Sequence, residues 1–345
     1  MPCMPPDTSS AGDVIGATQI TGRIWRDGRA IELPADAGQH LAELVASEDL
    51  VWLDLCAPDA QWLGKVGREL RLDAHSVEDA LAEHERPKAT RFETYTFSTV
   101  YPVHLEPAGD GQVPVTSRLS AYALPKTLLT VRVDDSFDMA AVLDRWAEDA
   151  ELVAFGVDGL LQGLLDVIID QHFTVLQRLD DEVEHLIDLT FADKPDLRDL
   201  QRKTFRVRAE LVGLRRVVSP MRDVISTLIR AGQATRHWPM GLLSYYEDIN
   251  DHVIRASEWE ESLRDLVSGI FETNLSLNDT RMNEVMKKLA AWAAIIAVPT
   301  LITGWFGQNV PYWGFGNTFG FVLASVLVLG AAGTLYAIFR SRDWL

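Results

Sequence analysis

Charge is missing from one long part of this chain. Between Leu289 and Phe339 there is no Asp, Glu, Lys, Arg or His. A hydrocarbon core of about 30 Å takes roughly 20 apolar helical residues, so the run is too long for one crossing and fits two joined by a short turn. The crossings are expected at 289–306 and 319–339. Cysteine is scarce as well. Cys3 and Cys56 stand alone, which points away from a disulfide framework or a thiolate metal site. A basic excess is lacking: the net charge is -18, which disfavours nucleic acid as a partner, because phosphate binding needs clustered Lys and Arg. No Gly-rich phosphate-cradling loop is present, and no nucleophile–base or metal-hydrolase arrangement stands out, so an enzyme is not expected. The first residues, Met1 to Pro6, have neither a basic head nor an apolar core and do not read as a signal peptide.

What is present falls into an order. Residues 1–13, rich in Pro, Ser and Gly, are expected to be disordered. From 14 to 156 the pattern is mixed. Val51–Leu55, Thr94–Leu105, Arg118–Leu124 and Leu128–Val133 read as strands, and Asp59–Leu70, Ala74–Glu83 and Met139–Glu148 have helical spacing. This predicts a cytosolic α/β domain. Residues 157–238 read as a helical hairpin, Leu160–Leu189 and Asp196–Arg230, broken at 192–195 and closed by a second break at 236–239. His172, His185 and His252 lie singly on helices and are expected to pack or to face solvent.

Proline is then absent from 240 to 298. Ile249, Val253, Ala256, Glu260, Leu263, Val267, Ile270, Asn274 and Leu277 alternate steps of four and three, a coiled-coil-like seam with Glu260 and Asn274 as polar interruptions. A stalk helix over 240–288 that continued through 306 would be one helix of about 67 residues and about 100 Å. Such a helix predicts self-association. Its stripe continues through Asn283, Met286, Ala290, Ala293, Ala297, Thr300 and Gly304, and Pro299 sits inside the span. Lys287 and Lys288 precede the first span and Arg340 and Arg342 follow the second, whereas the loop 307–318 carries no charge. By the positive-inside rule both ends of the pair, including the tail 340–345, lie in the cytoplasm and the loop lies outside.

The triplet after the first span, Gly307-Gln308-Asn309, resembles the Gly-Met-Asn that ends the first membrane helix of CorA-type divalent-cation channels, with Gln in place of Met. Tyr246–His252 and Arg264–Gly269 are similar to that family's stalk helix. Glu78–Leu81 with His84–Lys88 is similar to its amino-terminal domain, and Trp344-Leu345 after a basic pair fits its end. The resemblance implies an α+β membrane protein: a cytosolic α/β domain, a long helical stalk and two C-terminal membrane helices per subunit, assembled as a homopentamer in the cell (inner or plasma) membrane. It implies that Gly307, Gln308 and Asn309 form a selectivity filter and that Asn283, Met286, Leu289, Ala297 and Thr300 line a pore. It further implies that Asp79 and Asp248 form an intersubunit regulatory cation site. The ligands expected are Mg2+, as substrate and regulator, and Co2+. Zinc-transporting ZntB-like relatives also vary the middle residue of the triplet, so Zn2+ stays open, as does a membrane-tethered sensor without transport. An Asn ring offers neutral amide oxygens to a hydrated Mg2+, an ion that sheds water reluctantly.

Overall fold

The computed structural model describes residues 19–26, 28–34, 37–82, 85–109, 111–192, 196–235, 238–308 and 310–345. The expected disordered start, His84, the break at 193–195, Arg236-His237 and Asn309 lie outside these residues. Two compact units are present, Met1–Ser268 and Gly269–Leu345.

In the first unit the strands are β1 (Gln19–Arg26), β2 (Arg29–Glu32), β3 (Leu50–Cys56), β4 (Lys88–Arg91), β5 (Thr96–Val100), β6 (Val103–Ala108), β7 (Gly111–Thr116), β8 (Leu119–Ala123) and β9 (Thr127–Arg132). Seven of them form one mixed sheet in the order β2-β1-β3-β9-β8-β5-β4, and β6 and β7 make a separate antiparallel ribbon. Only β3 and β9 run parallel in the large sheet. The period-two alternation of strand side chains sorts them between two cores. On one face Val51, Leu53, Leu55, Phe97, Tyr122, Leu129 and Val131 pack with Leu63 and Val66 of helix α2 (Ala60–Glu69) and Ala80 of α3 (Ala74–Leu81), α1 being the short Leu41–Val45. On the other face Trp52, Leu119, Ala121, Ala123 and Leu128 meet the long helices. With both faces covered, β3, β8 and β9 are almost wholly buried, including the polar Asp54, Ser120, Thr127, Thr130 and Arg132. Their one charged pair, Arg132 Nη2 to Asp54 Oδ2 at 2.7 Å, is completed by Thr130 Oγ1, which donates to Asp54 at 2.6 Å.

The helices beyond the sheet are α4 (Met139–Glu148), α5 (Ala150–Ala154), α6 (Val157–Thr190), α7 (Leu197–Val218), α8 (Met221–Thr235) and α9 (Met240–Phe306). The single helix expected over Asp196–Arg230 is two, α7 and α8. Pro220, which has no N–H to continue the ladder, starts the second. The α6–α7 hairpin is as expected, and Arg178 of α6 clamps Glu210 of α7.

The seam on α9 packs against helices of its own chain. Tyr246, Ile249, Val253, Ala256, Glu260, Leu263 and Val267 are buried within this one subunit. Tyr246 Oη donates to the Asp158 carbonyl at 2.9 Å, and the Phe173 ring of α6 lies 6.2 Å from Trp259. The stripe therefore closes a helical layer within the chain. Glu260, 3% exposed, is a member of that layer; burial pushes its carboxyl up, with the Arg215 charge opposing. His172 is also buried, its Nε2–H donating to the Tyr101 carbonyl at 2.9 Å, and burial pulls it down to about 4 against that hydrogen bond.

In the second unit, the rest of α9 and α10 (Thr318–Ser341) are both long and apolar enough to cross a membrane. Their large apolar side chains are exposed, among them Met282, Leu289, Leu301, Phe321 and Leu329. For a soluble helix that would be untenable; in lipid it is the required arrangement.

Candidate functional site

The expected pore residues all lie on α9. Asn283, Met286, Leu289, Ala297 and Thr300 are exposed in the isolated subunit, Met286 at 62% and Leu289 at 71%. They share a stripe with Ala290, Ala293 and Gly304 by the steps of three and four that keep residues on one helical face. Nothing lies within 4 Å of the place a Cβ would take on Gly304, so that face is bare backbone. Thr300 Oγ1 donates back to the Ile296 carbonyl at 2.8 Å, and Thr303 Oγ1 to the Thr300 carbonyl at 3.0 Å. The hydroxyls are thus satisfied along the helix and keep acceptor capacity on the open side. Pro299 withholds the hydrogen bond that the Ile295 carbonyl would otherwise receive.

The helix ends at Phe306. Gly307 N–H still donates to the Thr303 carbonyl at 2.9 Å, and Gln308 N–H reaches the Trp305 carbonyl at 3.4 Å. Gly307 keeps an ordinary backbone angle; the positive φ values belong to Gly314 (91°) and Gly316 (78°). Asn309, the third member of the triplet, lies outside the described residues.

The loop that follows has no carboxylate, and aromatic contacts order it instead. Tyr312 Oη donates to the Phe306 carbonyl at 2.8 Å, one of the acceptors a helix C-terminus leaves open. Its ring stands edge-on to Phe306 at 5.2 Å and to Phe315 at 5.3 Å, and Trp313 meets Phe319 at 4.9 Å. At the start of α10 a Cβ on Gly320 would fall 2.4 Å from the Gly314 carbonyl, so only glycine admits this crossing. None of these contacts was legible from spacing. The only local signal was the density of aromatics and glycines between two apolar spans.

Asp79 and Asp248 are on different elements with different partners. Asp79, on α3, is held by Lys88 at 2.7 Å, and Lys88 also meets Glu85 at 3.0 Å. Burial alone would lower the Lys88 pKa, but the two carboxylates outweigh it and hold the ammonium above the usual lysine value. Asp248, 68% exposed at its side chain, faces His252 Nε2 at 3.8 Å. Among the described residues no group of three or more His, Cys, Asp or Glu is placed to hold a metal ion.

Comparison with known proteins covers nearly the whole of this architecture. The model of the family described as CorA-like Mg2+ transporter protein matches residues 47–340. A cobalt/magnesium transport protein CorA of Thermotoga maritima is 29% identical over 291 residues, 81% of this chain and 79% of that one. A zinc transport protein ZntB of Yersinia enterocolitica is 28% identical over 328 residues, 88% of this chain and 90% of that one. Among solved structures, the complete CorA magnesium transporter of Methanocaldococcus jannaschii superposes with a TM-score of 0.74 at 22% identity, covering 94% of this chain and 98% of that one. A family model spanning both units, a matching full-length fold and two membrane-crossing helices converge: the chain belongs to the CorA-like family of divalent-cation transporters.

Proposed function

We propose that this protein is a homopentameric channel for potential-driven Mg2+ entry, with Co2+ as a second substrate, gated by cytosolic divalent cation. The observation that carries the reading is the bare stripe from Asn283 to Gly304 on α9. It is uncharged, lined with small and neutral polar groups, and leads to Gly307 and Gln308 at the start of a charge-free loop. Copies of this helix around one axis bury the stripe and turn it into a conduit with Asn283 and Thr300 rings separated by apolar ones. Asn309 rings at its mouth present amide oxygens to the hydration shell. Neutral dipoles bind weakly enough to release the ion. Across about 100 mV a divalent ion gains roughly 4.6 kcal/mol, twice the value for one charge, which drives entry without nucleotide hydrolysis. Both termini are cytosolic on this reading, because Lys287, Lys288, Arg340 and Arg342 flank the spans.

Gating rests on Asp79 and Asp248 of neighbouring subunits. Mg2+ bridging them holds the assembly closed, and its loss restores repulsion that loosens the pore. Asp248→Lys then shifts the cytosolic Mg2+ concentration at which flux stops. An unchanged inhibition curve removes this pair from the mechanism. A second reading, Zn2+ as the cargo, is favoured by Gln308, which departs from the Gly-Met-Asn pattern, and by the likeness to a zinc transport protein. Parallel flux of the two ions separates them.

A further inference from the structure

The first unit contains a cavity of about 1020 Å³ between α7, the β6–β7 ribbon and the connection from α3 to β4. This is the upper end of the roughly 300–1,000 Å³ usual for small-molecule sites. Its charges do not cancel. The two carboxylates on its wall already have cations: Glu85 is held by Lys88 and Glu210 by Arg178. The three guanidinium groups on the same wall, Arg86, Arg215 and Arg216, make no ion pair among the described residues. Arg215 interacts with the Glu260 carboxylate only through its charge.

A fourth guanidinium lies behind the wall. Arg118 is 6% exposed, its Nε has no hydrogen-bond partner, and it reaches the hydroxyl of Tyr101, which lines the cavity. A buried cation without a carboxylate is costly unless an anion compensates it. Arg118 is the buried cation that lacks a carboxylate, and Arg86, Arg215 and Arg216, exposed on the cavity wall in a chain with 50 Asp and Glu against 32 Lys and Arg, add positive charge beside it. Planar guanidinium forks match phosphate oxygens two at a time, and several together match an anion with several phosphates better than a single one. We infer that this cavity binds a small polyphosphate-bearing anion, of nucleoside di- or triphosphate or inorganic polyphosphate class, at a site distinct from the ion path.

The test is calorimetric titration of the full-length protein in detergent, in metal-free buffer, with inorganic tripolyphosphate and separately with adenosine triphosphate. Three forms are compared: the wild type, Arg216→Glu, and Arg208→Glu, which makes the same charge change at an exposed position on α7 outside the cavity. The expected result is saturable binding of about one anion per chain, weakened about tenfold or more by Arg216→Glu and less than about twofold by Arg208→Glu. Equal affinity for both probes assigns recognition to the phosphates alone, and tighter binding of adenosine triphosphate adds the nucleoside; either supports the site. Absence of saturable binding by the wild type, or equal weakening by both variants, overturns it. Arg216 is exposed, so an unchanged thermal midpoint in that variant shows that any loss of binding is not a loss of fold.

Discussion

Lys88 Nζ stands 2.7 Å from Asp79 Oδ2, so the carboxylate proposed to take a regulatory cation already holds one supplied by its own chain. A divalent ion must compete with this tethered ammonium. Lys88→Met is therefore expected to lower the cytosolic Mg2+ concentration for half-inhibition by about three- to fivefold, the worth of a partly exposed ion pair. Flux into proteoliposomes at graded internal Mg2+ reads this directly. A curve that stays in place, or shifts upward, contradicts the competition.

His172 sets a pH dependence of stability. It stays neutral down to about 4 in the folded chain, against about 6.5 when unfolded. Between those values the unfolded chain takes a proton that the folded one refuses. The contribution is therefore complete above about 6.5 and is lost as pH falls toward 4, on the order of 3 kcal/mol in all. His172→Gln removes this slope, so the difference in Tm between wild type and variant narrows from pH 7 to pH 4.5. A constant difference would show that His172 titrates normally.

Tyr312 fastens the loop after the proposed filter to the end of α9 through the Phe306 carbonyl. Tyr312→Phe keeps the edge-on ring contacts and deletes that one hydrogen bond, worth about 1 kcal/mol. Mg2+ flux per assembled oligomer is expected to fall about fivefold, with oligomer size unchanged. Full flux would mean that the aromatic contacts alone hold the mouth.

Much of this was written in the sequence, and the failures have physical causes. The absence of charge from Leu289 to Phe339 marked the two helices apolar enough to cross a membrane, with ends close to Phe306 of α9 and to both ends of α10. The proline-free run marked α9 from its start at Met240 as far as Pro299. The seam from Ile249 to Val267 was read with the right period, but a three-four repeat does not say whether the facing helix belongs to the same chain. The edge strands β2 and β4 escaped, being four residues each and carrying charge, and β1 escaped because Gly22 and two arginines interrupt its apolar pattern. The ribbon β6–β7 carries Pro107 and Pro114, which argue against a strand until it is known to stand apart from the large sheet. Individual filter and pore residues came from the resemblance; periodicity supplied only their common face. Lys88 on Asp79 and Tyr312 on Phe306 depend on how the chain turns between them, which no pattern of residue types encodes.

The central claim is that divalent ions cross through a ring that includes Asn309. The direct measurement is ion flux into proteoliposomes with Mg2+ and Zn2+ in parallel, driven by an imposed potential, for wild type and Asn309→Ala. Voltage-driven Mg2+ entry that the substitution reduces about tenfold or more is predicted, since a filter oxygen acts on every ion that passes. Zn2+ entry alone, or no flux of either ion from an assembled protein freed of inhibiting cation, would contradict it.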